Sequence, residues 1–255
     1  MHDVAVNLLA SLVAASAAWL AQWLLRYRRQ ARRRAFFGVT RGEECMFVVA
    51  RRAGEQSEHS VSRRDGAALV ELAAVVRACG GQADLVPTVD TVERVGRRTE
   101  FCVGGPSANP RMAAHLRAML PGVQIAPVQG ARVQSHSGQM TVGGTSYQRV
   151  PGRLEYVLLA KAYPPDRRHP VFLLCGQTAQ SNLAAARLLA TRHRRLIRTH
   201  GTSSPFCLVL RIVEPATYGP DFVQLAADVT GEAFRAADAI AGPAAEQMPS
   251  QPAAG

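Results

Sequence analysis

The chain opens on an unbroken apolar run. Val4 to Leu25, VAVNLLASLVAASAAWLAQWLL, carries no charge. As a helix rising 1.5 Å per residue it reaches about 33 Å, enough for the ~30 Å hydrocarbon core of a bilayer. Trp19 and Trp23 lie near its far end, where amphipathic indoles favour a membrane interface. Asn7, Ser11, Ser16 and Gln22 dilute the run without ending it. From residue 35 the rhythm changes. Short apolar runs of strand length alternate with segments of helical period up to residue 241, and a Pro/Ala-rich tail, 242–255, is expected to be disordered.

The alternation predicts specific elements. Cys45–Ala50 reads as a buried strand. Ser62 and Asp65 form a capping pair, and the helix they open carries Leu69, Leu72, Val75 and Val76 until Gly80-Gly81 stops it. Short strands follow at Ala83–Pro87 and Glu100–Val103. Asn109 caps a helix with Pro110 at its first position and Met112, Leu116 and Leu120 on one face; Pro121-Gly122 ends it. Gln139–Val142 and Thr145–Gln148 can pair as a hairpin across Gly143-Gly144. Glu155–Ala162 and Val171–Cys175 are two further strands, followed by a long helix from about Leu183 to His200. Phe206–Val213 and Phe222–Asp228 are the last strands, with a short helix over Gly231–Ile240. Strands interleaved with helices define an α/β fold class: a three-layer Rossmann-like domain with a mixed or mostly parallel sheet and helices on both faces, preceded by one N-terminal transmembrane helix.

Charge refines the topology. Arg26, Arg28, Arg29, Arg32, Arg33 and Arg34 crowd the end of the apolar run, whereas Asp3 precedes it. A cleaved export signal has the opposite polarity, although Ala15-Ser16-Ala17 resembles a cleavage site and export is the alternative. The positive-inside rule places the N-terminus outside and the domain in the cytoplasm, with Arg26 to Arg34 against anionic headgroups. The net charge is +11, but setting those six arginines aside leaves the rest only mildly basic. With only Tyr27 interleaved among them, this is not the footprint of a nucleic-acid binder. Apolar residues make up 47% of the chain, which excludes an intrinsically disordered protein. Cys45, Cys79, Cys102, Cys175 and Cys207 lack metal-ligand spacing and lie in or beside apolar runs; they read as reduced, buried thiols.

Two strand-to-helix loops carry the candidate chemistry. Gly104, Gly105, Ser107 and Asn109 follow one strand; Gly176, Gln177, Thr178 and Asn182 follow another. In each, glycine permits close backbone approach, and hydroxyl and amide side chains precede a helix N-terminus that favours an anion. Turn geometry alone also calls for these residues. Neither loop is a Walker A or GxGxxG sequence. Arg63 and Arg64, in the first strand-to-helix connection, are candidates to clamp the same anion, such as a nucleotide. Glu100 and Glu155 begin strands and are the only catalytic candidates, as the acid/base of a nucleotide or glycosidic-bond hydrolase. His115 reads as a surface or packing residue, and His136 has no assigned role. The basic residues Arg187, Arg192, Arg194, Arg195 and Arg198 with His193 form a helix face suited to solvent, a membrane or a partner.

The strings WLLRYRRQARRRAFFG, TEFCVGGPSANPRMAAHLR, VFLLCGQTAQSN and FCLVLRIV resemble uncharacterised single-pass membrane-anchored proteins of high-GC actinobacteria. The likeness covers most of the chain and implies a tethered topology but no activity. The GGPxxN string, Gly104 to Asn109, is also similar to Rossmann-like sensor or effector domains of bacterial signalling and conflict systems. Three functions follow as expectations: a membrane-tethered cytoplasmic module binding an anionic ligand in a sensor or signalling role, a hydrolase on the same crevice, or a membrane-anchored interaction scaffold.

Overall fold

The computed structural model describes residues 2–49, 61–86, 96–127, 137–165 and 167–235, with side chains throughout except at 2–11, 13, 127, 137 and 138. His136, the strand ends at Ala50 and Pro87, and the 242–255 tail lie outside these ranges.

Helix α1 runs from His2 to Phe37 without a break. It is longer than the predicted apolar segment and passes through the arginine cluster into the domain. Phe36 and Phe37 end it, and both are fully buried. The two rings meet edge-on at 5.0 Å, and Phe36 stacks on Phe206 while Phe37 meets Phe172 and Phe101. The end of α1 is thus packed into the core rather than joined to it by a linker. Further out, its apolar side chains lack cover: Leu12, Trp19, Leu20, Trp23 and Leu25 are each at least half exposed. Among the described residues no helix is long and apolar enough to cross a membrane, so the predicted span from Val4 to Leu25 is not supported by them. The side chains of 2–11 and 13, within and just before that span, are not described.

Seven strands form the main sheet. In chain order they are β1 (Glu44–Val49), β2 (Gln82–Val86), β3 (Glu100–Val103), β7 (Leu154–Ala162), β8 (Val171–Gly176), β9 (Phe206–Val213) and β10 (Val223–Asp228). Their spatial order is β10-β9-β7-β8-β3-β1-β2. β2, β1, β3 and β8 are parallel neighbours, β7 runs against both β8 and β9, and β10 runs against β9. The sheet is mixed, with most strands sharing one direction. β3 and β8 are buried at every position, as expected of central parallel strands covered on both sides.

Alternation along the strands divides two cores. Cys45, Phe47, Phe101, Val103, Phe172 and Leu174 face α2 (Arg63–Cys79), α4 (Ala179–His200) and the end of α1. Met46, Val48, Cys102, Leu173 and Cys175 face α3 (Pro110–Met119) and a small antiparallel sheet. That sheet joins the predicted hairpin, β5 (Ser137–Val142) and β6 (Thr145–Gln148), to β4 (Val123–Pro127), a strand whose short mixed pattern did not announce itself. Two single-turn helices, α5 (Pro215–Tyr218) and α6 (Thr230–Ala233), complete the described elements. The helix expected over Gly231–Ile240 is described only through its first turn, since residues beyond 235 fall outside the described ranges.

All five cysteines are buried free thiols. Lys161, the only lysine of the chain, is fully buried on β7. Its Nζ donates to the Thr202 carbonyl at 2.6 Å, just past the end of α4, and lies 4.8 Å from the centre of the Phe36 ring. Burial pushes this amine down from 10.5 to about 7.

Candidate functional site

β1, β3 and β8 point the same way, so the chain leaves all three at one edge of the sheet. From there it enters α2 and α4 on one face and α3 on the other. Where neighbouring parallel strands feed helices on opposite faces, the chain parts and leaves a crevice beyond the carboxyl ends. β3 and β8 are such neighbours: Val103 pairs with Leu174, and the Gly104 N–H donates to the Leu174 carbonyl at 3.0 Å. The two glycine loops therefore emerge side by side. β7 runs the other way and starts at this same edge, which brings Glu155 beside Gln177 and Thr178.

The loop side chains are largely spent on holding the edge together. Asn109 caps α3 by accepting from the Arg111 and Met112 N–H groups at 3.1 Å, while its amide donates back to the Val103 carbonyl. Gln177 accepts from the Tyr156 N–H at 2.8 Å and donates to the Tyr147 carbonyl at 3.0 Å, tying β8 to β7 and the small sheet. Thr178 caps α4, starting that helix at Ala179, four residues before the first apolar position that marked it in the sequence. Its hydroxyl also donates to Glu155 at 2.5 Å, and Arg149 approaches the other Glu155 oxygen at 3.4 Å. Asn182 accepts from the Gly176 N–H at 2.7 Å and donates to Asp65 at 3.0 Å. A Cβ on Gly176 would lie 2.4 Å from the Ser181 Oγ, so only glycine fits this turn. Gly104 has φ +113, which also favours glycine.

Asp65 is the residue of this edge that sequence reasoning passed over. It was legible only as a helix-capping partner of Ser62. In the fold its carboxylate is buried, accepts from Ser62 Oγ at 2.8 Å and from Asn182, and so links the first turns of α2 and α4. Burial raises its carboxyl above the ordinary range, against the two hydrogen bonds that favour the charged form. Gly105 is half-buried, and Ser107, Arg63 and Arg64 are exposed along the same edge. The two predicted glycine loops thus emerge from adjacent strands, and Arg63 and Arg64 open α2, whose first turn is joined to that of α4 through Asp65 and Asn182. Asn109, Gln177, Thr178 and Asn182 are engaged in internal hydrogen bonds and Gly104 is buried, while Ser107 and the two arginines are exposed.

Glu100 stands apart from this edge. It begins β3 on the α3 side and is fully buried. Arg111 donates to both of its oxygens, at 2.6 and 2.8 Å, and His115 lies 2.8 Å from one of them. Burial alone would raise this carboxyl, but the Arg111 and His115 hydrogen bonds outweigh it and hold it below the ordinary range. A general acid needs the opposite shift. Cys102 and His115 also bring their ligand atoms within 4.8 Å of a Glu100 oxygen and of each other. That donor set would suit a cation by distance, yet the bidentate guanidinium already occupies both carboxylate oxygens, so the group is an ion pair that pins α3 to β3. His115, read from the sequence as a surface or packing residue, is buried in this cluster. Its signal was the Arg111/His115 spacing of four on one helix face. No family model matches the chain, and neither the curated proteins nor the solved structures contain a detectable relative.

Proposed function

We propose that this chain is a membrane-tethered module with a three-layer, Rossmann-like domain that binds an anionic small molecule, a nucleotide being the favoured class, in a sensing or signalling role. The ligand lies in the crevice at the carboxyl edge, against the Gly104–Ser107 backbone, with Arg63 and Arg64 as its cationic clamp. Gly176, Gln177, Thr178, Asn109 and Asn182 hold the crevice in shape. The observation that carries this reading is the adjacency of β3 and β8 with their helices on opposite faces. Three helix N-termini meet at this edge and add a favourable potential for negative charge. The first half of α1 serves as the bilayer anchor, with the N-terminus outside and the domain on the cytoplasmic side; its uncovered tryptophans and leucines support that use.

Calorimetry of the full chain against a panel of nucleoside mono-, di- and triphosphates tests the binding. One member is expected to bind saturably, and Arg63→Ala with Arg64→Ala, or Gly105→Val, is expected to weaken it about tenfold or more, the loss of one to two charge-assisted contacts. A panel with no saturable binder, or affinity indifferent to all three changes, removes the proposal.

A further inference from the structure

A second cationic site lies far from the glycine loops, where the basic half of α1 crosses the later turns of α4. Between them is a cavity of about 570 Å³, inside the roughly 300–1,000 Å³ range of small-molecule sites. Arg26, Arg29, Arg32 and Arg33 line it from α1, and Arg194 and Arg198 from α4. The spacing explains the convergence. Arg26, Arg29 and Arg33 recur at three and four residues along α1, and Arg194 and Arg198 are one turn apart on α4, so each set shares a helix face.

The walls are fixed. Arg34 donates to the Cys79 carbonyl at 2.9 Å, and Gln30 donates to the Ala78 carbonyl, clamping α1 against the end of α2. The Phe37 ring lies 5.6 Å from the His193 ring. No carboxylate lines the cavity. Among the described residues none of its six arginines forms an ion pair, in contrast to Arg98, Arg111 and Arg187 elsewhere. The Arg33 Nε is buried with no hydrogen-bond partner among the described residues. Burial first, and then the charges of Arg33 and Arg194, hold the His193 imidazole below its ordinary value, as a site of uncompensated positive potential should. Arg26, Arg29, Arg32, Arg194 and Arg198 are exposed and Arg33 is half-buried, so the six guanidiniums line an open concavity whose positive potential an anion would offset, and their planar forks match phosphate oxygens.

We infer that this cavity is a phosphate-binding site, filled by the phosphate of an anionic lipid headgroup or of a soluble phosphate ester. The site does not depend on the glycine-loop crevice, since it shares no residue with it. Its position at the end of the exposed apolar stretch of α1 suits a headgroup, and its open mouth admits either source.

The test uses the full chain and two probes, inorganic pyrophosphate by calorimetry and phosphatidylcholine vesicles with and without phosphatidylglycerol by co-sedimentation. Two double variants attack opposite walls: Arg29→Gln with Arg33→Gln, and Arg194→Gln with Arg198→Gln. Arg192→Gln with Arg195→Gln, on the same helix but outside the cavity, removes equal charge as a control. Arg63→Ala with Arg64→Ala reports the other site. Either wall variant is expected to weaken pyrophosphate binding, or the phosphatidylglycerol-dependent part of vesicle binding, about tenfold or more, with the control and the Arg63/Arg64 variant within about twofold. Pyrophosphate binding that is lost in the wall variants, without phosphatidylglycerol-dependent sedimentation, identifies a soluble ester; wall-sensitive phosphatidylglycerol dependence, with or without pyrophosphate competition, identifies a headgroup. Equal losses in the wall and control variants, with circular dichroism unchanged, would reduce the effect to net charge and overturn the site, as would the absence of binding to both probes.

Discussion

Lys161 shows what one buried charge does to the whole molecule. Its amine falls from 10.5 to about 7 in the fold because burial disfavours the ammonium form. Below pH 7 both folded and unfolded chains carry the proton, and the folded state bears the full cost of burying it. Between pH 7 and 10.5 only the unfolded chain holds that proton, so stability rises with pH, by at most about 1.4 kcal/mol per unit. The buried thiols act oppositely from about their unfolded value of 9.0, because Cys45 and Cys175 are pushed up to about 12. The clean window is therefore pH 7 to 9. Urea unfolding is expected to show wild-type stability increasing across it and Lys161→Met remaining flat; an equal slope in both would reject the assignment. Glu100 belongs to the same scale. Removing it as Glu100→Ala strands the Arg111 guanidinium under α3 and is expected to cost about 3–5 kcal/mol in urea unfolding, whereas Glu100→Leu with Arg111→Met should recover most of that loss. Because the Glu100 carboxyl is lowered in the fold, its stabilisation is present above the unfolded value of 4.5 and disappears as pH falls.

The elements are joined by caps and rings whose partners lie far apart in the chain. Asn182 couples α2, β8 and α4 through Asp65 and the Gly176 N–H. Asn182→Ala removes the side-chain acceptor of the Gly176 N–H and one of the two side-chain donors to Asp65, in a buried place, and is expected to destabilise by about 1–3 kcal/mol. Hydrogen exchange should accelerate at Gly176 and in the first turns of α2 and α4 before the rest of the sheet responds; uniform acceleration would mean that the joint is not local. The elements themselves were largely legible. Ser62, Asn109 and Gly80 marked helix ends because capping is local chemistry, and Phe206–Val213 marked a strand by its unbroken apolar run. β4 was missed because Val123–Pro127 has neither a clean period of two nor a long apolar run. The direction of β7 was illegible too, since its apolar pattern suits either orientation and only pairing with β8 and β9 selects one.

At the scale of the molecule, the unusual feature is a 36-residue helix whose residues 14 to 29 are exposed and whose last two are buried. Leu12, Trp19, Leu20, Trp23 and Leu25 are exposed along it, and Phe36 and Phe37 tie its other end to the sheet. On the proposed bilayer anchoring, Leu12→Glu with Leu20→Glu is expected to shift the full chain from the membrane pellet to the supernatant on cell fractionation, with the circular dichroism of the domain unchanged; a native chain found in the supernatant would remove that anchoring. Retention of the variant in the pellet would place its attachment elsewhere. Phe36→Ala is expected to cost the domain about 3–5 kcal/mol, as for other fully buried phenyl rings, and on the same proposal leaves the chain in the pellet.

Local chemistry was enough to set the periods, the caps, the loops rich in glycine and the apolar run that begins the chain, because each depends on residues a few positions apart. Only the tertiary structure decided that β3 lies beside β8, that Glu100 meets Arg111 and His115, that Asp65 reaches Asn182, and that arginines on α1 and α4 enclose one cavity. Those meetings come from burying distant apolar faces against each other, and a rhythm of polar and apolar positions says which face is buried without saying against what.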